Sequence, residues 1–212
     1  MIKKEPLVRH EIVSIGKSLF DRGLSAGSSG NISVRLEDGF LMTPTGSTLA
    51  NLDPETISKL DQKGNYISGD PPTKESSLHL AVYGKRPECG AVVHLHPTYT
   101  TALSCLADVN PDSVLPAMTP YQVMRIGTLP LIPYYPPGDP GLAQAVGEKA
   151  SEHGVLLLAN HGPVVSGKSL EQAAFICEEL EEAARIYFLT LGLPVRHLTR
   201  QQVEELTRHF KS

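Results

Sequence analysis

The chain has 212 residues, of which 41% are hydrophobic and 20% charged, and its formal net charge is −4. A domain of that length buries most of its apolar surface without disulfide or metal staples, so a bound metal is expected to serve chemistry rather than folding. The acidic balance, with an isoelectric point near 6.1, excludes nucleic acid as a default partner but not an anionic small molecule, whose site is set by local charge.

In chain order, the opening Met1-Ile2-Lys3-Lys4-Glu5-Pro6 carries no secretory apolar core. The spacing of Leu7, Ile12, Ile15 and Leu19 predicts a helix from Leu7 to Arg22, stopped by Gly23. Ser25 to Gly30 is too rich in Gly and Ser for a regular element. Asn31 to Leu36 alternates apolar and polar, which predicts a half-buried strand, and Asp38-Gly39 signals a hairpin into Phe40-Leu41-Met42. A turn at Asp61–Asn65 separates two short strand candidates. Ser76 to Arg86 reads as a helix with Glu75 at or near its start, Ala91 to His94 as a buried strand, and Tyr99 to Cys105 as a helix. Met124 to Tyr135 suggests one or two strands broken by Pro130 and Pro133. Gly141 to Ser151 is helical, Val155 to Ala159 is a buried strand too short to span a bilayer, and Val164-Val165-Ser166 pairs nearby. Ser169, with Gln172 three residues on, is close to a capping box for a long helix reaching Leu191, and a last helix follows the Thr199 cap. Cys89, Cys105 and Cys177 form no CxxC pair and read as small buried hydrophobes in a reducing compartment, so the expected location is the cytoplasm. No repeat or long linker intervenes, and residues 1–212 are expected to form a single α/β domain. Its sheet is mixed and largely antiparallel, with helices on both faces.

His94-Leu95-His96 ends one of these strands. Residues i and i+2 of extended chain project to one face, so both imidazoles can reach one point while Leu95 turns inward. Imidazole nitrogen suits Zn²⁺ and similar ions at about 2.0–2.1 Å. Taken alone, the pair is weak evidence and fits two ordinary loop histidines better than a metal site. His161, in Asn160-His161-Gly162-Pro163, follows the apolar run Gly154–Ala159 and stands where sheet-based sites collect, although a turn-capping histidine would look the same. Glu75 in a first helical turn fits macrodipole stabilisation; beside a metal it becomes a fourth ligand or a general base. His79 reads as packing against the ligands rather than joining them. Ser28-Ser29-Gly30-Asn31, Thr43-Pro44-Thr45-Gly46-Ser47 and Thr73-Lys74 supply the backbone and hydroxyl donors that hold phosphate or carboxylate, and each is also an ordinary turn.

Together these residues resemble the class II aldolase/adducin family, which includes fuculose-phosphate aldolase and ribulose-phosphate 4-epimerase. The resemblance spans nearly the whole chain, from about His10 to Leu191. Its signposts run in order: Ser29–Ser33 (Ser-Gly-Asn-Ile-Ser), Met42–Gly46 (Met-Thr-Pro-Thr-Gly), Lys74 to His79, Val92–His96 (Val-Val-His-Leu-His) and Asn160–Gly162 (Asn-His-Gly). It implies a three-layer α/β/α domain, assembled as a C4 homotetramer with sites at subunit interfaces. It also implies one Zn²⁺, or another divalent metal, per subunit, held by His94, His96 and His161, with Glu75 as ligand at rest and acid/base in turnover. The substrate phosphate would rest on Ser28, Gly30, Asn31, Thr45, Gly46 and Thr73. Tyr121, an ordinary half-buried aromatic when read from the residues alone, matches a tyrosine that donates a proton into a neighbouring subunit's site.

Where the aldolases usually carry Ser-Ser-Glu, this chain has Thr73-Lys74-Glu75. With Asn51–Pro54, His94–Pro97 and Tyr134–Asp139, that departure looks most like the branch of 3-oxo-tetronate 4-phosphate decarboxylases. The implied reaction is zinc-dependent decarboxylation to dihydroxyacetone phosphate and CO₂ through a metal-stabilised enediolate. By its charge alone, Lys74 fits attracting the substrate carboxylate or helping to hold its phosphate, and fits equally a solvated lysine before a helix. The alternative is an aldolase that cleaves a ketose 1-phosphate such as fuculose 1-phosphate through the same enediolate. A non-enzymatic, adducin-like binding module would have a degraded ligand set. The expected partner is therefore a phosphorylated sugar acid or sugar, with neither nucleic acid nor membrane.

Overall fold

The computed structural model describes residues 4–136 and 139–209. Pro6 lies in the first turn of α1 (Glu5–Asp21), where its missing N–H costs nothing, and Val8, Ile12 and Leu19 form the buried stripe of that helix. The hairpin signalled by Asp38-Gly39 joins β1 (Asn31–Arg35) to β2 (Gly39–Met42), and the Asp61–Asn65 turn joins β3 (Ser58–Asp61) to β4 (Tyr66–Ser68). Then follow α2 (Ser76–Lys85), β5 (Ala91–His94), α3 (Thr98–Ser104), α4 (Pro120–Arg125), β6 (Leu131–Ile132), α5 (Pro140–Ala150), β7 (Val155–Leu158), β8 (Gly162–Gly167), α6 (Leu170–Thr190) and α7 (Arg200–His209). Ser169 caps α6 by accepting the Gln172 N–H at 3.1 Å, as its spacing anticipates.

The strands form one eight-stranded sheet in the order β4-β3-β2-β1-β5-β8-β7-β6, antiparallel throughout except where β6 meets β7. Ile12, Leu19, Leu103 and Leu180 from α1, α3 and α6 pack with Ile32, Val93 and Val165 on one face. Leu78, Val82, Leu142 and Val146 from α2 and α5 pack with Met42, Val92 and Val164 on the other. Neighbouring residues of one strand, such as Val92 and Val93, thus enter opposite layers, and the architecture is a three-layer α/β/α sandwich around a mixed sheet. Covering both faces is what corrects the half-buried reading of β1: Asn31 to Val34 are all buried, and only Arg35 reaches partway out.

The strand expected over Met124–Tyr135 shrinks to Leu131–Ile132, between the two prolines. Thr119 accepts the Gln122 N–H at 3.2 Å and Pro120 opens α4, which takes in Met124 and Arg125. A capping threonine followed by proline is a helix start, and it outweighs the apolar run that follows. Cys89 and Cys177 are buried as anticipated, whereas Cys105 is exposed. Within Tyr134–Asp139, Pro137 and Gly138 lie outside the described residues. No helix among the described residues is long and apolar enough to cross a membrane.

Candidate metal centre

Three adjacent central strands bring their ends together at one edge of the sheet. Asn31, the first residue of β1, pairs with His94, the last of β5, and His94 pairs on its other side with Val164 of β8. His161 stands in the tight turn between β7 and β8. Asn160 makes that turn with a φ of 56°, a left-handed conformation that asparagine tolerates better than most residues. Gly162 follows because a Cβ there would lie 2.5 Å from the Leu95 carbonyl oxygen, so the turn closes directly onto the His94–His96 segment.

His94 Nε2 lies 3.0 Å from His96 Nε2 and 3.2 Å from His161 Nε2. The two Glu75 oxygens stand 3.4 Å from the Nε2 atoms of His94 and His161. A tetrahedral ion with bonds of about 2.0–2.1 Å holds its ligands about 3.3–3.4 Å apart, so this spacing fits one metal ion. The chemistry of the donors agrees. His94 Nδ1 is 2.8 Å from the Pro163 carbonyl oxygen, which only accepts, so Nδ1 carries the hydrogen and Nε2 turns its lone pair to the cluster. Burial, then repulsion from His94 and His161, pushes His96 down to about 4, and burial with the His94 charge also lowers His161. Both imidazoles are therefore neutral near pH 7, the form that ligates. Burial would raise the Glu75 carboxyl, but attraction to His94, the Asn31 hydrogen bond, and attraction to His161 and His79 bring it below the usual carboxylate value.

The donor loops gather beside Glu75, which ends the segment leading into α2. Thr45 donates its N–H to Pro71 O at 2.9 Å and Thr73 its N–H to Thr43 O at 3.1 Å, so the two loops run side by side. Thr43 Oγ1 in turn accepts the Ile32 N–H at 3.1 Å, tying them to β1. Gly30 approaches so closely that a Cβ would stand 2.9 Å from Leu95 and 3.2 Å from the His94 carbonyl oxygen, with φ at +81°. Ser28, Thr45, Gly46 and Lys74 are exposed, and Thr73 is buried. The Asn31 Nδ2 donates to Glu75 Oε2 at 2.7 Å and its Oδ1 faces His79 Nε2. Tyr121 is not half-buried but 61% exposed, on the first turn of α4 with the Arg125 guanidinium 5.9 Å from its ring centre.

Four supporting residues escape a reading of the sequence. Ser33 and Tyr83 continue the hydrogen bonding beyond His79. Ser104 accepts the His161 N–H at 3.2 Å. Glu181 accepts the N–H groups of Tyr99 and Thr100 at 2.8 Å and the Thr100 hydroxyl at 2.7 Å. Their partners lie 46 to 82 positions away, beyond any local pattern.

Residues 10–188 match the family model of the class II aldolase and adducin N-terminal domain. The chain is 50% identical over 205 residues to the 3-oxo-tetronate 4-phosphate decarboxylase of Escherichia coli strain K12, covering 96% of this chain and 97% of that one. It is 35% identical over 192 residues to the L-fuculose phosphate aldolase of Haemophilus influenzae, covering 89% and 86%. Among solved structures it superposes with a TM-score of 0.94 on YgbL of Escherichia coli, described as a putative aldolase/epimerase/decarboxylase, at 49% identity over 96% of this chain and 99% of that one. The chain belongs to the class II aldolase/adducin family. Its His94, His96 and His161 form a group able to hold a metal ion.

Proposed function

We propose that the protein is a zinc-dependent lyase that converts a 3-oxo-tetronate 4-phosphate to dihydroxyacetone phosphate and CO₂. The observation that carries this reading is the convergence of three imidazoles and one carboxylate on a single point, beside three loops rich in donors. Half of the residues are shared with a decarboxylase of that name over nearly the full length, which supports the choice of leaving group.

Zinc bound there supplies Lewis-acid stabilisation of the negative charge that develops on the substrate's carbonyl oxygen. The chain's own residues do the rest. The hydroxyls of Ser28, Thr45 and Thr73 and the Gly46 turn orient the phosphate; the N–H groups of Thr45 and Thr73 are already spent on joining their loops. As the C1–C2 bond breaks, its electron pair moves into the C2–C3 bond and the C3 oxygen takes the charge. A proton delivered to C2 then completes dihydroxyacetone phosphate. Glu75, ionised in the resting site, takes up the C2 hydroxyl proton as the substrate binds and returns it at C2, and Tyr121 serves as the second donor across a subunit interface, restoring the hydroxyl. The exposure of Tyr121 on α4 favours that arrangement, in a homotetramer of single-domain subunits. Lys74, next to Glu75 and exposed, attracts the substrate carboxylate.

Retro-aldol cleavage of a ketose 1-phosphate passes through the same charge distribution, and the shared identity with a fuculose phosphate aldolase keeps it as the second reading. Zinc-loaded protein is expected to release CO₂ from a phosphorylated 3-oxo acid, and far less aldehyde from fuculose 1-phosphate. Aldehyde release that outpaces CO₂ release would replace the first reading with the second.

A further inference from the structure

Behind Glu75 a chain of hydrogen bonds runs into the buried layer between the sheet and α2. Glu75 Oε2 receives Asn31 Nδ2 at 2.7 Å, Asn31 Oδ1 faces His79 Nε2, His79 Nδ1 is 2.7 Å from Ser33 Oγ, and Ser33 Oγ is 2.9 Å from the Tyr83 hydroxyl. His79 is fully buried and Tyr83 nearly so. None of these four residues stands among the three imidazoles.

The direction of every bond in the chain follows from its end. An ionised carboxylate only accepts, so Asn31 turns its NH₂ to Glu75 and its carbonyl oxygen to His79. His79 Nε2 must then carry a hydrogen. Burial first, then repulsion from His94, pushes His79 down to about 3, so the ring is neutral and Nδ1 is a bare acceptor. Ser33 consequently donates to Nδ1 and has only its lone pairs left for Tyr83. Burial pushes the Tyr83 phenol up, so it keeps its proton and donates it to Ser33. The donors thus point one way, from Tyr83 to Glu75. A flipped Asn31 would set its oxygen against the carboxylate and its NH₂ against the His79 N–H, and both contacts would be repulsive.

We infer that His79 is a positioning residue for Glu75: by donating from Nε2 it locks the Asn31 amide in the orientation that holds the Glu75 carboxylate at the metal point. The Asn31 side chain then serves the acid/base carboxylate rather than the substrate phosphate. This deepens the reading of Glu75 given above and rests on its metal part, not on the identity of the leaving group.

Two measurements on the full-length, metal-loaded protein test it. Long-range ¹H–¹⁵N spectra of the zinc form are expected to place the His79 hydrogen on Nε2; a hydrogen on Nδ1 overturns the inference without any substitution. The second measurement uses Co²⁺ as the probe, with affinity read by chelator competition and ligand geometry by the visible spectrum. His79→Phe, which keeps a planar ring and removes both nitrogens, is expected to weaken Co²⁺ binding about 10–100-fold and to alter the spectrum. His79→Gln, whose amide can still donate to Asn31, should recover part of that loss. Tyr83→Phe leaves the Ser33, His79 and Asn31 donors in place and should stay near wild type. A His79→Phe protein that folds and binds Co²⁺ as tightly as wild type, with an unchanged spectrum, overturns the inference and leaves His79 a packing residue. Loss of Co²⁺ affinity in a protein that decarboxylates no 3-oxo acid would refute the proposed substrate and leave this inference standing.

Discussion

Lys74 adds a cation where the aldolase pattern has serine, directly before the carboxylate that faces the imidazoles. If its charge draws in the substrate carboxylate, Lys74→Ser should lower kcat/KM for the 3-oxo acid by about tenfold or more, the scale of one charge-assisted hydrogen bond. Unchanged kcat/KM would take Lys74 out of the reaction. His79 makes a prediction of a different kind. Its folded pKa, about 3, lies below its ordinary value of 6.5. Between those values the unfolded chain binds a proton that the folded chain refuses. Stability from this group is therefore present above about pH 6.5 and is lost as pH falls toward 3. Urea unfolding followed from pH 7 to pH 4 should show the midpoint falling steeply, and the fall should be shallower in His79→Phe.

At the scale of elements, α3 is a strut between two ligands. It starts just after His96, at Pro97, whose side chain offers no cap. Glu181, reaching over from α6, replaces the missing cap with three hydrogen bonds. At the far end Ser104 holds the N–H of His161, and its carbonyl holds that of Asn160. Glu181→Ala should therefore destabilise the fold by about 1–2 kcal/mol, the usual cost of a lost cap, and also loosen metal binding. Denaturant melts with and without Zn²⁺ separate the two effects, since a purely structural role would lower both curves equally. The spacing of HxH in the sequence announces the pair of imidazoles, but nothing near Glu181 announces its partners 81 and 82 residues away. At α4 the deciding signal is local: the Thr119-Pro120 start sets a helix, which then packs against α6 and α7, although the apolar residues around it read as strand.

At the scale of the molecule, the candidate site lies at the edge of the sheet while two apolar layers hold the fold together. Chelation of the metal should thus abolish turnover and lower Tm while leaving the far-ultraviolet circular dichroism unchanged. The stability lost follows the mass-action term, about 4 kcal/mol at a thousandfold excess of metal over Kd. Tyr121 on its exposed helix tests the assembly. Tyr121→Phe should lower kcat about 10²-fold or more, the range of a general acid. On the proposed assembly, mixtures of Tyr121→Phe and His96→Ala subunits should regain activity, because some interfaces would then join an intact metal point to an intact tyrosine. Mixtures no more active than either parent would place the proton donor within one subunit.

The sequence by itself determined most of the order of elements, α4 excepted, and the covering of both faces of the sheet, and its motifs pointed to His94, His96, His161 and Glu75 through their resemblance to the family. Those properties are written in local periodicity, capping residues and short motifs, all of which act over a few positions. Only the tertiary structure decided that Asn31 belongs to Glu75, that His79 stands behind its amide with Ser33 and Tyr83 beyond, and that Glu181 anchors the strut between ligands. Each of those bonds joins residues brought together by strand register and layer packing, so its partner is set by where the chain returns and not by what lies beside it in sequence. Burial then favours the choice, because a polar group enclosed there without its partner costs about 1–3 kcal/mol.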